Sequence, residues 1–140
     1  MSETMETTEC YCLGLRRAEN RAVRFYDSRM SAAGITSQQY TLLAVLSGSG
    51  GRSITELAGL LDLDRTTVSR NVKVLEERGI VRLLHGRGRI KRCGLTPEGE
   101  RVFGKARAVW EEAQRSFESA LGEERCRELL ALLEEVAASL

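Results

Sequence analysis

Hydrophobic residues recur at three- and four-residue steps along most of this chain. Over residues 9–33, Cys12, Leu15, Ala18, Ala22, Phe25, Tyr26 and Met30 repeat with arginines between them, predicting a long amphipathic helix that Gly34 stops. Thr36 precedes a second helix, SQQYTLLAVL, which ends in the Gly/Ser run SGSGG. Ser53-Ile54-Thr55-Glu56 has the form of a capping box, with the serine capping a backbone N–H and the glutamate reaching back. It opens a short helix, ITELAGLL. Asp62-Leu63-Asp64 turns the chain, and a further helix, RTTVSRNVKVLEER, runs to Gly79.

The period then changes. IVRLL is β-branched and apolar, and the basic turn HGRGRIKR follows and runs into RIKRCGL, which predicts a hairpin with a loop longer than two residues. Thr96-Pro97-Glu98 supplies a cap, a proline at the first helical position and an acid in the first turn. The helix begun there is expected to reach about Ala120, with Gly104 a weak spot. After Gly122, Cys126, Leu129, Leu130, Leu133, Val136, Ala137 and Leu140 form a wide apolar stripe on a last helix. The expected fold is mainly α with a small β-hairpin wing: a winged helix-turn-helix at 36–96, flanked by dimerisation helices at 1–35 and 97–140.

Composition narrows the class. The chain has 140 residues, 42% hydrophobic and 29% charged, with one proline. No stretch reaches the ~18 apolar residues of a membrane span. The N-terminal MSETMETTEC lacks the basic start and apolar run of a signal peptide, so a cytoplasmic protein with no membrane partner is expected. A formal net charge of +1 conceals an asymmetry. Residues 52–92 hold ten Lys/Arg against five Asp/Glu, a balance of +5, whereas residues 98–140 hold six against ten, a balance of −4. An anionic partner would be met in the middle of the chain.

On a helical wheel of residues 64–78, Val68, Val72 and Leu75 share the inward side, with Arg65 at its edge. Thr66, Arg70, Lys73 and Glu77 face outward, flanked by Thr67 and Ser69. Arginine can bind guanine bidentately, hydroxyls can bond bases or phosphates, and threonine methyls can touch thymine, so this face suits a major groove. Ser53 and Thr55, at the start of the preceding helix, are placed to join it. The four cations of the following turn, Arg87, Arg89, Lys91 and Arg92, suit a narrow minor groove and its flanking phosphates. Enzyme chemistry has no footing: there is no phosphate-binding glycine loop, no Ser/His/Asp set and one histidine, and no cofactor is expected.

The stretches GITSQQYTLLAVL, SITELAGLLDLDRTTVSRNVKVLEERGIV and LTPEGERVF resemble the MarR family of winged-helix transcription regulators over nearly the whole chain. The resemblance implies an obligate homodimer whose terminal helices intertwine. It also implies binding to a palindromic operator, usually as a repressor, and release by a small-molecule or oxidant effector. The family's wing pattern, Asp-x-Arg-x-Arg/Lys, falls on Arg87-Gly88-Arg89-Ile90-Lys91. Arg87 stands where the family has its bracing aspartate.

Four cysteines, Cys10, Cys12, Cys93 and Cys126, are too sparse and irregular for a secreted disulfide framework. Cys12 has a spacing from Gly34 similar to the reactive cysteine of the OhrR-type branch. In that branch tyrosines position the thiolate. Tyr26 matches one such position, and Arg16 occupies another, one turn from Cys12. Arg16 thus departs from the branch, but its cation could stabilise the Cys12 thiolate. The candidate sensing group is Cys10, Cys12, Arg16, Tyr26 and Cys126, with Cys12 pairing to Cys10 at a frayed helix end or to a partner's Cys126. The alternatives are that the thiols act as small hydrophobes or bind a metal; His85, the one histidine, lies far along the chain from the cysteine pair. Cys93 is expected to be structural.

The extra cation at Arg87 predicts a looser wing and a steep salt dependence of DNA binding. Arg87→Asp should flatten the slope of log affinity against log salt by about 0.9, the value for one phosphate contact. Equal slopes for the two proteins would contradict this.

Overall fold

The computed structural model describes residues 9–85, 88 and 91–140. Among them are six α-helices and a three-stranded antiparallel sheet. Helix α1 spans Tyr11–Met30 and is extended by a 3₁₀ turn at Ser31–Ala33, which ends at Gly34 in the left-handed region, φ 77°. Helix α2 is Ser37–Leu46. Its N-cap is a complete capping box in which Thr36 accepts the Gln39 N–H and the Gln39 side chain accepts the Thr36 N–H. Strand β1 is Arg52–Ser53, α3 is Ile54–Leu61 and α4 is Arg65–Glu77. Strands β2, Val81–His85, and β3, Lys91–Leu95, form the hairpin. Helix α5 runs unbroken from Pro97 to Leu121 through Gly104, and α6 is Glu123–Ser139.

The predicted hairpin is therefore the larger part of a sheet ordered β1-β3-β2, with Arg52 opposite Cys93 and Ser53 opposite Arg92. A two-residue strand carries no alternation that periodicity could detect. The Ser53 cap also departs from its sequence form. Its hydroxyl accepts the Glu56 N–H at 3.1 Å as expected, but the Glu56 carboxylate meets the Ser53 hydroxyl and two arginines rather than reaching back to the backbone.

One core binds these elements. Met30, Leu42, Leu43, Leu57, Val68, Leu75, Ile80, Val81 and Cys93 are almost fully enclosed, and Tyr40 and Ala106 join them from α2 and α5. Burying each aliphatic side chain of this set contributes about 1.5–3 kcal/mol. The sheet is tied to α5 by a tight junction. The Thr96 N–H donates to the Ile80 carbonyl at 3.1 Å, its hydroxyl reaches the Gly79 carbonyl at 2.5 Å, and the Gly99 N–H donates to that hydroxyl at 2.9 Å. The close approach requires a glycine: a Cβ on Gly99 would lie 2.1 Å from the Ile80 carbonyl oxygen.

The two ends are different in kind. Helix α6 has no buried residue, and Leu130 and Leu132 are about 60% exposed. Tyr11, Leu15 and Val23 of α1 are exposed as well. None of the described helices is long and apolar enough to cross a membrane.

Two glycines of α5 should respond oppositely to alanine. Gly99→Ala should lose about 1–3 kcal/mol or more by overpacking against backbone. Gly104→Ala, with nothing within 4 Å of its would-be Cβ, should gain about 0.5–1 kcal/mol. Urea unfolding at one fixed protein concentration measures both, and a neutral Gly99→Ala would contradict the packing described.

Candidate nucleic-acid interface

Helix α4 is oriented by its apolar residues. Val68, Val72 and Leu75 are buried, which leaves Arg65, Thr66, Ser69, Arg70 and Lys73 exposed on one continuous side. The wheel has Thr66, Ser69, Arg70 and Lys73 on this side; Arg65, expected at the edge of the inward side, is exposed with them. Thr67 differs in detail: Asp64 is the N-cap, accepting the Thr67 N–H at 3.1 Å and its hydroxyl at 2.5 Å, so that hydroxyl serves the helix start. These hydrogen bonds, with a smaller contribution from Arg70, hold the Asp64 carboxyl below its usual pKa. A carboxylate at an N-cap also suits the positive end of the helix dipole.

Polar residues that the sequence pattern did not single out fix the other flank of α4. The Asn71 amide donates to Gln38 at 2.8 Å and to the Thr67 carbonyl at 3.2 Å, and Gln39 donates to Asn71 at 3.5 Å. These bonds join the exposed helix to the start of α2. An isolated Asn and a Gln pair some thirty residues apart have no motif to announce them.

Beside α4, Thr55 is exposed at the first turn of α3, and Ser53, half-buried, is engaged in capping. Lys91 is exposed at the start of β3. Arg92 is exposed too, but its guanidinium is engaged: it donates to the Gly51 carbonyl at 3.2 Å and pairs with Glu56 at 3.5 Å. Arg87 and Arg89 lie outside the described residues. Cys93 is fully buried on β3, and burial, then the nearby Glu76, pushes its thiol up; it is a protonated core residue, as expected.

The remaining thiols are separated. Cys10 is the N-cap of α1, with its sulfur accepting the Leu13 N–H at 3.4 Å, and Cys12 lies in the first turn, 3.7 Å from an Arg16 guanidinium nitrogen. Both cysteines are exposed, whereas Cys126 is half-buried. Tyr26 sits fourteen residues beyond Cys12, about 21 Å along the same helix. Its ring packs with Phe25 and Phe117 and its hydroxyl donates to Gln114. Burial, then Cys126 and Glu118, raise its pKa. Within the chain, Tyr26 thus neighbours Cys126 and not Cys12. Among the described residues no three His, Cys, Asp or Glu side chains gather as a metal site.

Tyr26 also borders a cleft of about 230 Å³ lined by Ser37, Tyr40, Thr41, Trp110 and Gln114. Tyr40 and Trp110 stack at 5.6 Å, and burial raises the Tyr40 pKa, keeping the group a neutral phenol. The cleft touches α2, whose first turn holds Asn71 of α4. A helix-turn-helix with one polar, cationic face, followed by a basic-edged sheet, defines a winged-helix DNA-binding protein.

Comparison with known proteins gives the same class. The MarR family profile matches residues 33–89. A putative transcriptional regulatory protein for the hcr operon of Thauera aromatica is 30% identical over 122 residues, 85% of this chain and 74% of that protein. The crystal structure of the M. tuberculosis transcriptional regulator MosR is similar with a TM-score of 0.82 and 32% identity, over 96% of this chain and 99% of that one. The same regulator in complex with DNA matches with a TM-score of 0.80 and 34% identity, over 94% and 98% of the two chains. This chain belongs to the MarR family and is a DNA-binding transcription regulator, not an enzyme.

Proposed function

We propose that the protein is a cytoplasmic homodimeric repressor that binds a palindromic operator and is released by a small molecule. The exposed side of α4, with Arg65, Thr66, Thr67, Ser69, Arg70 and Lys73, enters the major groove. Ser53 and Thr55 approach phosphates, and the wing, with Arg87, Arg89 and Lys91 beyond Arg92 at its root, reaches the flanking minor groove. The observation that carries this reading is the division of α4 into a buried apolar side and an exposed cationic, hydroxyl-bearing side.

Residues 36–96 form the DNA-binding unit in this reading, with 1–35 and 97–140 forming the dimer. The exposed leucines of α6 make a stripe that a soluble monomer rarely leaves uncovered. Charge complements it. Helix α1 holds five arginines against Glu19 and Asp27, and α6 holds five glutamates against Arg125 and Arg127, so each suits the other across a two-fold axis. Leu130→Asp combined with Leu133→Asp should give monomers in sedimentation, and those monomers should lose operator binding. Arg70→Ala should remain dimeric and bind the operator selected by wild type about tenfold or more weakly. A monomeric wild type, or an indifferent Arg70→Ala, would contradict the reading.

The aromatic cleft between α1, α2 and α5 is the proposed effector site. A second reading, favoured by exposed Cys10 and Cys12 and by the Arg16 guanidinium beside Cys12, is a thiol-based oxidant sensor acting on the same DNA-binding face. In that reading Cys12 pairs with Cys10, or with the partner's Cys126. Trp110, the chain's one tryptophan, separates the two. A small molecule that releases DNA through the cleft should change Trp110 emission equally in wild type and Cys12→Ser. Organic peroxide acting through the thiols should release DNA from wild type and leave Cys12→Ser bound. Release of Cys12→Ser by peroxide would rule out the thiol reading.

A further inference from the structure

Residues 52–92 carry twice as many cations as acids, and most of their acids are turned to other uses. Asp62 is the C-cap of α3, Asp64 caps α4, and Glu76 and Glu77 lie at the end of α4 away from Arg65 and Thr66. Glu56 is the one acid of this segment that pairs with its arginines among the described residues. One carboxylate oxygen is 3.5 Å from Arg92 and the other is 3.9 Å from Arg52. The Ser53 hydroxyl donates to the same group at 3.3 Å.

The geometry makes this cluster a brace. Arg92 belongs to the central strand, between Leu84 on β2 and Ser53 on β1. Its stem lies over Gly51, its guanidinium donates to the Gly51 carbonyl, and its second nitrogen reaches Glu56 on α3. One side chain therefore ties the root of the wing to the loop before β1 and to the first helix of the helix-turn-helix. Arg52 has a buried Nε with no hydrogen-bond partner among the described residues, so its tie to α3 is the one to Glu56. The cluster flanks Thr55, the residue before Glu56, where phosphates are expected in the proposed reading.

We propose that Glu56 is a positioning residue that sets DNA specificity: it anchors the wing root through Arg92 and withholds Arg92 and Arg52 from indiscriminate phosphate binding. Two unpaired arginines beside the helix-turn-helix would add affinity for any duplex, because phosphate neutralisation carries no sequence information. Paired to Glu56, they fix instead where the wing leaves the sheet. Arg92 is thus a brace in this account and not a phosphate contact.

The test compares E56Q, R92Q and E56Q/R92Q with wild type by fluorescence anisotropy. One probe is a random-sequence duplex; the other is the duplex that wild type selects from a random pool. E56Q should bind random DNA about three- to tenfold more tightly near 0.1 M salt, with a salt slope steeper by about 0.9 for each arginine released. Its preference for the selected duplex should fall about tenfold. E56Q/R92Q should lose roughly half of the added slope. R92Q alone should leave the random-DNA slope unchanged while weakening binding to the selected duplex. An unchanged slope in E56Q overturns the proposal. So does a slope that falls by about 0.9 in R92Q alone, since Arg92 would then contact phosphate in the wild type. The R92Q arm decides the question even if E56Q fails to fold.

Discussion

The burial of Val68, Val72 and Leu75 against Leu57, Leu43 and their neighbours determines what α4 can offer to another molecule. Each of these side chains contributes more by leaving water than any single polar contact of the helix, about 1.5–3 against roughly 1 kcal/mol. The helix therefore has one rotational setting, and with it the outward direction of Arg65, Thr66, Ser69, Arg70 and Lys73 is decided. The Asp64 cap fixes where the helix starts, and Asn71 ties its flank to α2. A rigid presentation matters for recognition, because a bidentate arginine contact tolerates little misalignment.

The same reasoning explains how the two halves of the molecule divide. The central part buries most of its apolar surface within one chain, with Leu60 and Val74 left exposed, and the Thr96–Gly99 junction holds the sheet to α5. The terminal helices do not: α6 turns its leucines to solvent and α1 leaves Tyr11 and Leu15 uncovered. In the proposed dimer a second copy covers this surface. The cleft of Tyr26, Tyr40 and Trp110 lies where these two regimes meet, touching α1, α5 and the helix that holds Asn71. A ligand there would press on α2, and α2 is hydrogen-bonded to the DNA-facing helix.

Much of this architecture is legible in the sequence. Three- and four-residue periodicity marks the helices, and the caps at Ser53 and Thr96 mark two of their starts; that Thr36 and Asp64 are caps as well emerges from the fold. The inward side of α4 followed from three residues. What escaped detection depended on contacts between distant segments. The strand at Arg52–Ser53 is too short for a period, and it exists because β3 offers it a free edge. Arg92 read as one more cation of the wing, because sequence shows charge and not direction; only the fold brings it to Glu56, thirty-six residues earlier. Tyr26 matched a sensing position by spacing, yet on a straight helix that spacing carries it away from Cys12.

The central claim is that two copies of α4 and its wing read DNA symmetrically. Hydroxyl-radical footprinting of the wild-type protein on the duplex it selects tests this most directly. Two protected patches related by a two-fold axis, with centres about 34 Å or one helical turn apart and lighter protection on their outer flanks, are the predicted result. A single unsymmetrical patch, or uniform protection without a centre of symmetry, would contradict it.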